Sequence, residues 1–197
     1  MNNELMNTIV TSVSTSLERL YEEDGASLIS KIIPPEKFEK ITTQEKKDYQ
    51  HAAERAIVFR WAYYLNTLLE PEFKAAQGSH DNPYTIDLEY NRHNFGRKQL
   101  QYKSIYPDLI IHRRDTPDNL LVVECKGWWN HNNDEIDKDK NRLRMMTKRP
   151  GEYEYHLGLF IKFEKELRNL KNNSYWYQDG HEYRMEESQE LIAHGEL

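Results

Sequence analysis

Cysteine is almost absent from this sequence, since its 197 residues include only one. An internal disulfide framework is therefore excluded, and no Cys/His cluster has zinc-ligand spacing. Long apolar runs are also absent, because the longest, such as residues 120–123, are far too short to cross a bilayer. No glycine-rich phosphate loop and no Ser/His/Asp pattern is recognisable. The first residues lack the layout of a secretory signal. We therefore expect a soluble, cytoplasmic, single-domain protein with no membrane partner.

Charge is distributed unevenly along the chain, although the formal net charge is only −6. Residues 91–114 and residues 138–149 each hold six Lys or Arg against a single acid. Residues 179–197 hold six acids against one Arg, which makes the C-terminal tail acidic. A run of like charge most often forms a solvated face. Two basic segments on either side of an acidic cluster are also what a nucleic-acid-binding surface would need.

Helical periodicity governs the first third of the chain. One apolar stripe predicts an amphipathic helix that ends at Gly25, and it consists of Leu5, Ile9, Val13, Leu17 and Leu20. If this stripe is exposed, it should drive self-association, so a homodimer through the N-terminal helix is one expected assembly. A capping-box pattern at residues 42–45 predicts a second, long helix that begins at residue 43 and ends before Pro71.

The period changes to two near residue 84, which predicts strands. We expect strands at 84–91, 105–111, 120–126 and 154–162, with helices at 134–146 and 164–170. The near-continuous apolar stretch at 120–126 is typical of a central strand covered on both faces. An Asp179-Gly180 pair between aromatic runs predicts a C-terminal hairpin. The domain would comprise an N-terminal helical extension (1–40), a core (41–163) and a C-terminal helix, hairpin and tail (164–197).

An acid and a lysine stand side by side on the predicted central strand. Glu124 and Lys126 share one face of that strand, whereas Cys125 points to the other and is expected to be a buried apolar residue. An unpaired buried charge costs several kcal/mol. Asp108 on the neighbouring strand supplies a second carboxylate, and two carboxylates plus water suit a hard cation such as Mg²⁺. The lysine could then hold or deprotonate an attacking water.

With these residues, the sequence resembles the PD-(D/E)xK nuclease superfamily, which has the restriction-endonuclease-like fold. The motif stands here as Pro107-Asp108 followed by Glu124-Cys125-Lys126, and the αβββαβ core of the superfamily matches the predicted element order over residues 43–163. Residues 87–92 and 106–111 are similar to an uncharacterised prokaryotic branch. The resemblance implies an α/β fold with a mixed central sheet flanked by helices. Here an extra N-terminal helix and a C-terminal β-hairpin would be added to that core.

The resemblance also implies how the site is completed. The superfamily usually adds an acid from the helix before the sheet, a place that Glu54 occupies. The helix after the third strand often carries a polar residue, and Asp139, Lys140 and Arg142 are available there. The implied cofactor is Mg²⁺, with Mn²⁺ as a substitute. Its expected ligands are Asp108, Glu124, Glu54 and the backbone carbonyl of Cys125.

The implied function is a metal-dependent nuclease that hydrolyses a nucleic-acid backbone, with DNA favoured over RNA by the habit of the superfamily. The expected catalytic residues are Glu54, Asp108, Glu124 and Lys126. Candidate substrate contacts are Arg92, Lys98, Arg142 and Trp128. One indole of the Trp128-Trp129 pair could stack on a base, or both could lie in the core.

Two alternatives remain open at this level. Asp108, Glu124 and Lys126 could form a salt-bridge group without metal, in a catalytically inactive module that binds nucleic acid or another protein. Asp87 and Glu89, on the polar side of the first strand, could join the metal site or be solvated.

Overall fold

The computed structural model describes residues 3–30, 40, 42–43, 52–78, 82–91, 99–100 and 103–185. A π-helical turn at Gly25–Ile29 follows the first helix. The helices are α1 (Asn3–Glu23), α2 (Glu54–Gln77), α3 (Asn133–Thr147) and α4 (Leu167–Asn172). The strands are β1 (Tyr84–Leu88), β2 (Gln99–Leu100), β3 (Lys103–Ser104), β4 (Leu109–Arg113), β5 (Asn119–Gly127), β6 (Leu157–Phe163), β7 (Tyr175–Gln178) and β8 (His181–Arg184). No helix in these ranges is both long and apolar enough to span a membrane.

A six-stranded mixed sheet forms the centre of the fold, in the order β1-β4-β5-β6-β7-β8. Strand β5 pairs antiparallel with β4 and parallel with β6. The parallel pair needs a crossover, and α3 supplies it. The expected α/β class, the mixed sheet with helices packed on it and the central place of β5 are therefore confirmed. Strands β2 and β3 form a separate two-stranded ribbon that the polar sequence around them did not predict.

Strand β5 is central because its apolar side chains fill two cores. Leu121, Val123 and Cys125 belong to the core that also contains residues of α1 and α2, whereas Val122 packs with Leu143 of α3 on the other face. Alternating side chains of one strand are thus buried on both sides, as the continuous apolar sequence predicts. Since Glu124 follows this alternation, its carboxylate points to the α3 side of the sheet.

Helix α1 packs its apolar stripe into the main core of the protein. Ile9, Val13, Leu17 and Leu20 are all 0% exposed and belong to the main core, in which α1 packs on α2. The indole of Trp61 on α2 donates a 2.9 Å hydrogen bond to Ser16 Oγ of α1. The exposed stripe on which the predicted homodimer rested is therefore not available as a surface.

Helix α2 passes through Pro71, where the sequence predicted its end. Proline removes one helical N–H donor, but later side chains hold the last turns to the sheet. Phe73 is 4% exposed and packs on the Tyr84 ring, and Arg113 Nη2 donates to the Ala76 carbonyl at 2.7 Å. These tertiary contacts outweigh the lost hydrogen bond. The predicted start at residue 43 is wrong, since Ala52 is not helical, Ala53 has an extended backbone and α2 begins only at Glu54. Residues 44–51 lie outside the described ranges.

The predicted strand at 105–111 is displaced, because β4 begins only after Asp108 and ends at Arg113. Pro107 has no N–H to give to a ladder, so regular pairing starts beyond it. The C-terminal hairpin is confirmed, with Gln178 opposite His181. Its turn residues Asp179 and Gly180 have φ of 50° and 77°, as a type I′ turn requires. The hairpin extends the main sheet beside β6, while residues 186–197 of the acidic tail lie outside the described ranges.

Candidate active site

The predicted motif residues meet where β4 begins and β5 ends. Leu109 of β4 pairs with Val123 of β5 in an antiparallel register. The residue before Leu109 therefore lies beside the residues after Val123, which places Asp108 next to Glu124 and Cys125. The backbone fixes this position further, since Asp108 N donates to the Val123 carbonyl at 3.1 Å.

Asp108 is held by the backbone of β5. Its Oδ2 atom accepts a 2.6 Å hydrogen bond from the N–H of Cys125. Burial raises the pKa of Asp108 to about 6, against the opposing effects of this hydrogen bond and of the Lys126 charge. A raised pKa means that the charged form is costly in the folded protein. The surrounding strands therefore hold the Asp108 carboxyl group in an environment that disfavours its charged form.

Glu124 is deeply buried and pairs with a cation from α3. Its side chain is 3% exposed, and Oε1 accepts from Arg142 Nη1 at 2.6 Å. Burial holds the pKa of Glu124 above its ordinary value, and the nearby Asp108 carboxylate adds to this rise, whereas Arg142 opposes it. The buried carboxylate of Glu124 thus lies next to the half-buried carboxylate of Asp108, an arrangement that apolar packing alone would not favour.

A chain of alternating charges links Lys126 to Glu124. Lys126 Nζ lies 2.6 Å from Asp139 Oδ2 and also donates to the Cys125 carbonyl at 3.1 Å. Asp139 Oδ1 lies 3.3 Å from Arg142 Nη2, which brings the chain to the arginine that pairs with Glu124. Burial acts to lower the pKa of Lys126, but Asp139, Glu54 and Asp108 together outweigh it, so the pKa is raised and Nζ is protonated at neutral pH.

The structure also separates the three polar candidates on α3. Asp139 and Arg142, one turn apart, face the site. Lys140 instead lies over the rings of Tyr175 and Phe160, with Nζ 3.7 Å from the Tyr175 centroid. Helical spacing alone did not distinguish them, because the face that α3 turns to the sheet depends on how the helix docks.

Glu54 reaches the same place from the first turn of α2. Its Oε2 accepts from the N–H of Gly127, at the end of β5, at 2.7 Å. Burial raises the pKa of Glu54, although Lys126 and the Gly127 N–H oppose the rise. Only glycine fits at 127, since a Cβ there would lie 2.3 Å from the Trp129 ring. The helix-borne acid therefore lies beside the other motif residues.

Comparisons with known proteins add nothing to this geometry. No protein-family model and no curated protein matches the chain. The chemistry of the site therefore rests on its own residues. Four segments contribute to it, namely the start of α2, the start of β4, the end of β5 and the middle of α3.

Within the described part of the chain, no three or more His, Cys, Asp or Glu side chains converge as a ready metal cluster. The donor chemistry nevertheless fits a hard divalent cation. Besides burial, each acid has its pKa raised by another acid: Asp108 by Glu54, Glu124 by Asp108, and Glu54 by Asp139. A divalent cation would relieve this repulsion, and carboxylate and carbonyl oxygens are the ligands that Mg²⁺ takes. Asp108, Glu124, Glu54 and the Cys125 carbonyl would hold it.

A cleft of about 770 Å³ opens beside the acids. Glu54 and Asp108 line it together with two exposed aromatic side chains, Phe59 and Tyr106. Arg55 also lines it and forms an ion pair with Glu89. The cleft gives a ligand from solvent a route to Asp108 and Glu54.

The four candidate substrate contacts differ in where they lie and in what they contact. Arg92 and Lys98 lie outside the described residues. Arg142 is turned inward to Glu124 and Asp139. The indole N–H of Trp128 donates to the Ile29 carbonyl at 2.9 Å, and its ring lies 4.2 Å from Lys165 Nζ. Both the edge and one face of Trp128 are thus engaged within the chain, which argues against its stacking on a base.

The described arginines of the two basic segments make contacts within the protein. In the first segment, Arg113 stacks on the Tyr84 ring at 4.1 Å, and Arg114 pairs with Asp87. In the second, Arg144 pairs with Glu182 at 2.7 Å. The described arginines of both segments therefore do not form the open basic surfaces that the charge pattern suggested.

Asp87 is a structural acid rather than a solvated one. Its side chain is 12% exposed and accepts from Arg114 Nε, while His112 Nε2 lies 2.9 Å from Oδ2. Burial acts to raise the pKa of Asp87, but the bonds with His112 and Arg114 outweigh it and hold the pKa well below its ordinary value. The hypothesis that Asp87 joins the metal site finds no support in these contacts, and Glu89 pairs with Arg55.

We expect Asp87→Asn to destabilise the protein by about 1.5–3 kcal/mol at pH 7, because hydrogen bonds to a charged group are lost. A depressed pKa contributes stability above the unfolded value, near 4, and loses it as the pH falls through the folded value. The difference between wild type and variant should therefore shrink below about pH 4. Urea unfolding at pH 7 and pH 3 measures it, and equal stability at pH 7 would contradict the structural role.

Proposed function

We propose that this protein is a metal-dependent phosphodiesterase that hydrolyses a nucleic-acid backbone. The observation that carries the proposal is that Asp108 and Glu54 are both bonded to the backbone at the end of β5, beside Glu124 and a protonated lysine, and that the pKa of each acid is raised. Burial and mutual repulsion of these acids lower the free energy of unfolding, and titratable groups with perturbed pKa values are typical of a functional site. DNA is the favoured substrate because of the superfamily resemblance.

The residues of the chain have distinct tasks in this mechanism. The backbone of β5 orients Asp108 through the Cys125 N–H, and the Gly127 N–H orients Glu54. Lys126 Nζ, placed by Asp139 and the Cys125 carbonyl, donates a hydrogen bond to the attacking water. A bound divalent cation would stabilise the charge that develops on the phosphoryl oxygens. Because its pKa is raised, Lys126 orients that water rather than taking a proton from it.

The experiment is a cleavage assay over several nucleic acids and several divalent ions. Single- and double-stranded DNA and RNA are incubated with the purified chain and Mg²⁺, Mn²⁺, Ca²⁺ or EDTA. We expect cleavage with Mg²⁺ and Mn²⁺, none with EDTA and little with Ca²⁺, whose looser geometry orients water poorly. No cleavage of any substrate with any ion would overturn the proposal.

A second candidate is a catalytically inactive module, and one observation favours it. The pairs Lys126–Asp139 and Arg142–Glu124 already neutralise part of the acidic charge without metal. If these two ion pairs only neutralise the acids and the site binds no metal, no divalent ion should raise the melting temperature. A metal-binding site should instead gain stability by mass action, about 2.7 kcal/mol at a hundred times the Kd.

A further inference from the structure

Exposed aromatic side chains gather at the same cleft as the acids. Phe59 is 67% exposed and Tyr106 is 53% exposed, and both line the cleft with Glu54 and Asp108. Among the described residues, the other exposed large apolar side chains are Tyr63 and Met145, which do not line it. An exposed apolar surface beside polar groups that face one cleft is typical of a binding site rather than of a solvated face.

The chain fixes these rings relative to the acids. Tyr106 precedes Asp108 by two residues, and the intervening Pro107 is buried and has a restricted φ. Phe59 follows Glu54 by five residues on the rigid helix α2. A group that contacts the rings is therefore held close to the proposed reaction centre. Arg55, on the same cleft, pairs with Glu89 through Nε, but its side chain is 84% exposed and a guanidinium has further N–H donors that a phosphate can use.

We infer that this cleft binds an unpaired nucleotide, with its base stacked on Phe59 and Tyr106 and its phosphate directed to Arg55 and to the divalent cation that Glu54 and Asp108 would hold. The inference rests on the proposed function and names its substrate class. In an intact duplex the faces of a base are covered by its neighbours, so only an unpaired or extruded base can stack on a protein ring. The substrate is thus single-stranded nucleic acid, or a duplex that is locally open at the cleavage position.

Binding is measured with a fluorescein-labelled single-stranded oligonucleotide by anisotropy in Ca²⁺, which permits binding with little turnover. Phe59→Ala and Tyr106→Ala should each weaken binding about five- to hundredfold, the range expected for loss of one stacked base. Phe59→Leu should weaken it similarly, because leucine keeps the apolar volume but has no ring face. A blunt duplex of the same sequence should bind wild type more weakly than the single strand does.

Tyr63→Ala is the matched control. Tyr63 is 56% exposed on the same helix, but it contacts Tyr64 and Arg60 and does not line the cleft. The Tyr63→Ala variant should bind the single-stranded oligonucleotide as tightly as wild type does. The inference is overturned if Phe59→Ala and Tyr106→Ala bind like the control, if Phe59→Leu retains full affinity, or if the duplex binds more tightly.

The cleavage assay separates this failure from failure of the proposed function. If wild type hydrolyses nucleic acid with Mg²⁺ while both ring variants bind normally, the stacking site is wrong and the function stands. If the ring variants lose affinity but wild type cleaves nothing with any ion, the binding site is supported and the hydrolytic function fails.

Discussion

Asp108→Asn should lower the rate of hydrolysis about a thousandfold or more and, without metal, should make the protein more stable. The rate falls because this acid would help to hold the cation, which supplies several kcal/mol of transition-state stabilisation. Stability rises because burial raises the pKa of Asp108 to about 6, so its charge opposes folding. Asparagine keeps an oxygen that can accept from the Cys125 N–H but carries no charge.

The stability gained by Asp108→Asn should depend on pH. An acid with a raised folded pKa destabilises the protein fully above that value, and the cost disappears as the pH falls towards the unfolded value. The gain in Asp108→Asn should be as large as about 3 kcal/mol at pH 8. It should shrink below pH 6 and vanish near pH 4. Urea unfolding in EDTA across this range measures it.

Asp137→Asn serves as the control, since Asp137 is an exposed acid on α3 and should change stability by less than about 0.5 kcal/mol. Glu124→Gln should lose hydrolysis as Asp108→Asn does, with a smaller gain in stability because Arg142 loses one partner and keeps Asp139. If Asp108→Asn instead destabilises the metal-free protein by about 3–5 kcal/mol, the acids form a structural salt-bridge group.

Lys126→Ala should reduce hydrolysis about a hundredfold, the cost of losing a group that positions the attacking water, while most of the Mg²⁺-induced rise in melting temperature persists. Lysine acts on the water rather than on the cation in this mechanism, so metal affinity should change little. Asp139 would keep its contact with Arg142 in the variant, which limits the loss of stability. Single-turnover cleavage and thermal melting with and without Mg²⁺ measure the two effects.

Lys162 offers a matched control for this variant. Lys162 lies on the neighbouring strand β6, in register with Lys126 of β5, and its Nζ is 3.7 Å from Glu164 Oε1. Lys162→Ala should cleave as wild type does. A loss of the Mg²⁺ effect in Lys126→Ala, or equal losses of activity in both lysine variants, would show that Lys126 has no specific role at the water.

The juxtaposition of Asp108, Glu124 and Lys126 could be predicted from the sequence because strand alternation is local. Once residues 120–126 are assigned to a central strand, Glu124 and Lys126 must share a face. Asp108 then lies on the neighbouring strand. The Asp179-Gly180 turn was predictable for a similar reason, since a two-residue turn depends on its own backbone preferences.

Other features could not be predicted because they depend on packing between distant segments. Helix α2 continues past Pro71 because Phe73 contacts Tyr84 of the sheet, and this contact lies beyond the helix itself. Asp87 meets His112 and Arg114 only through the antiparallel register of β1 and β4. The choice of Asp139 and Arg142 over Lys140 likewise depends on how α3 docks.

The alternating chain Lys126–Asp139–Arg142–Glu124 also bears on how the protein matures. Sites built only from acids or thiolates often cannot fold before their metal arrives, so that folding and loading are a single event. Here the cations Lys126 and Arg142 already balance part of the buried acidic charge. If the proposed function is right, the protein can therefore fold before it binds a divalent ion. When such ions are scarce, we expect folded but inactive protein rather than misfolded protein that is degraded.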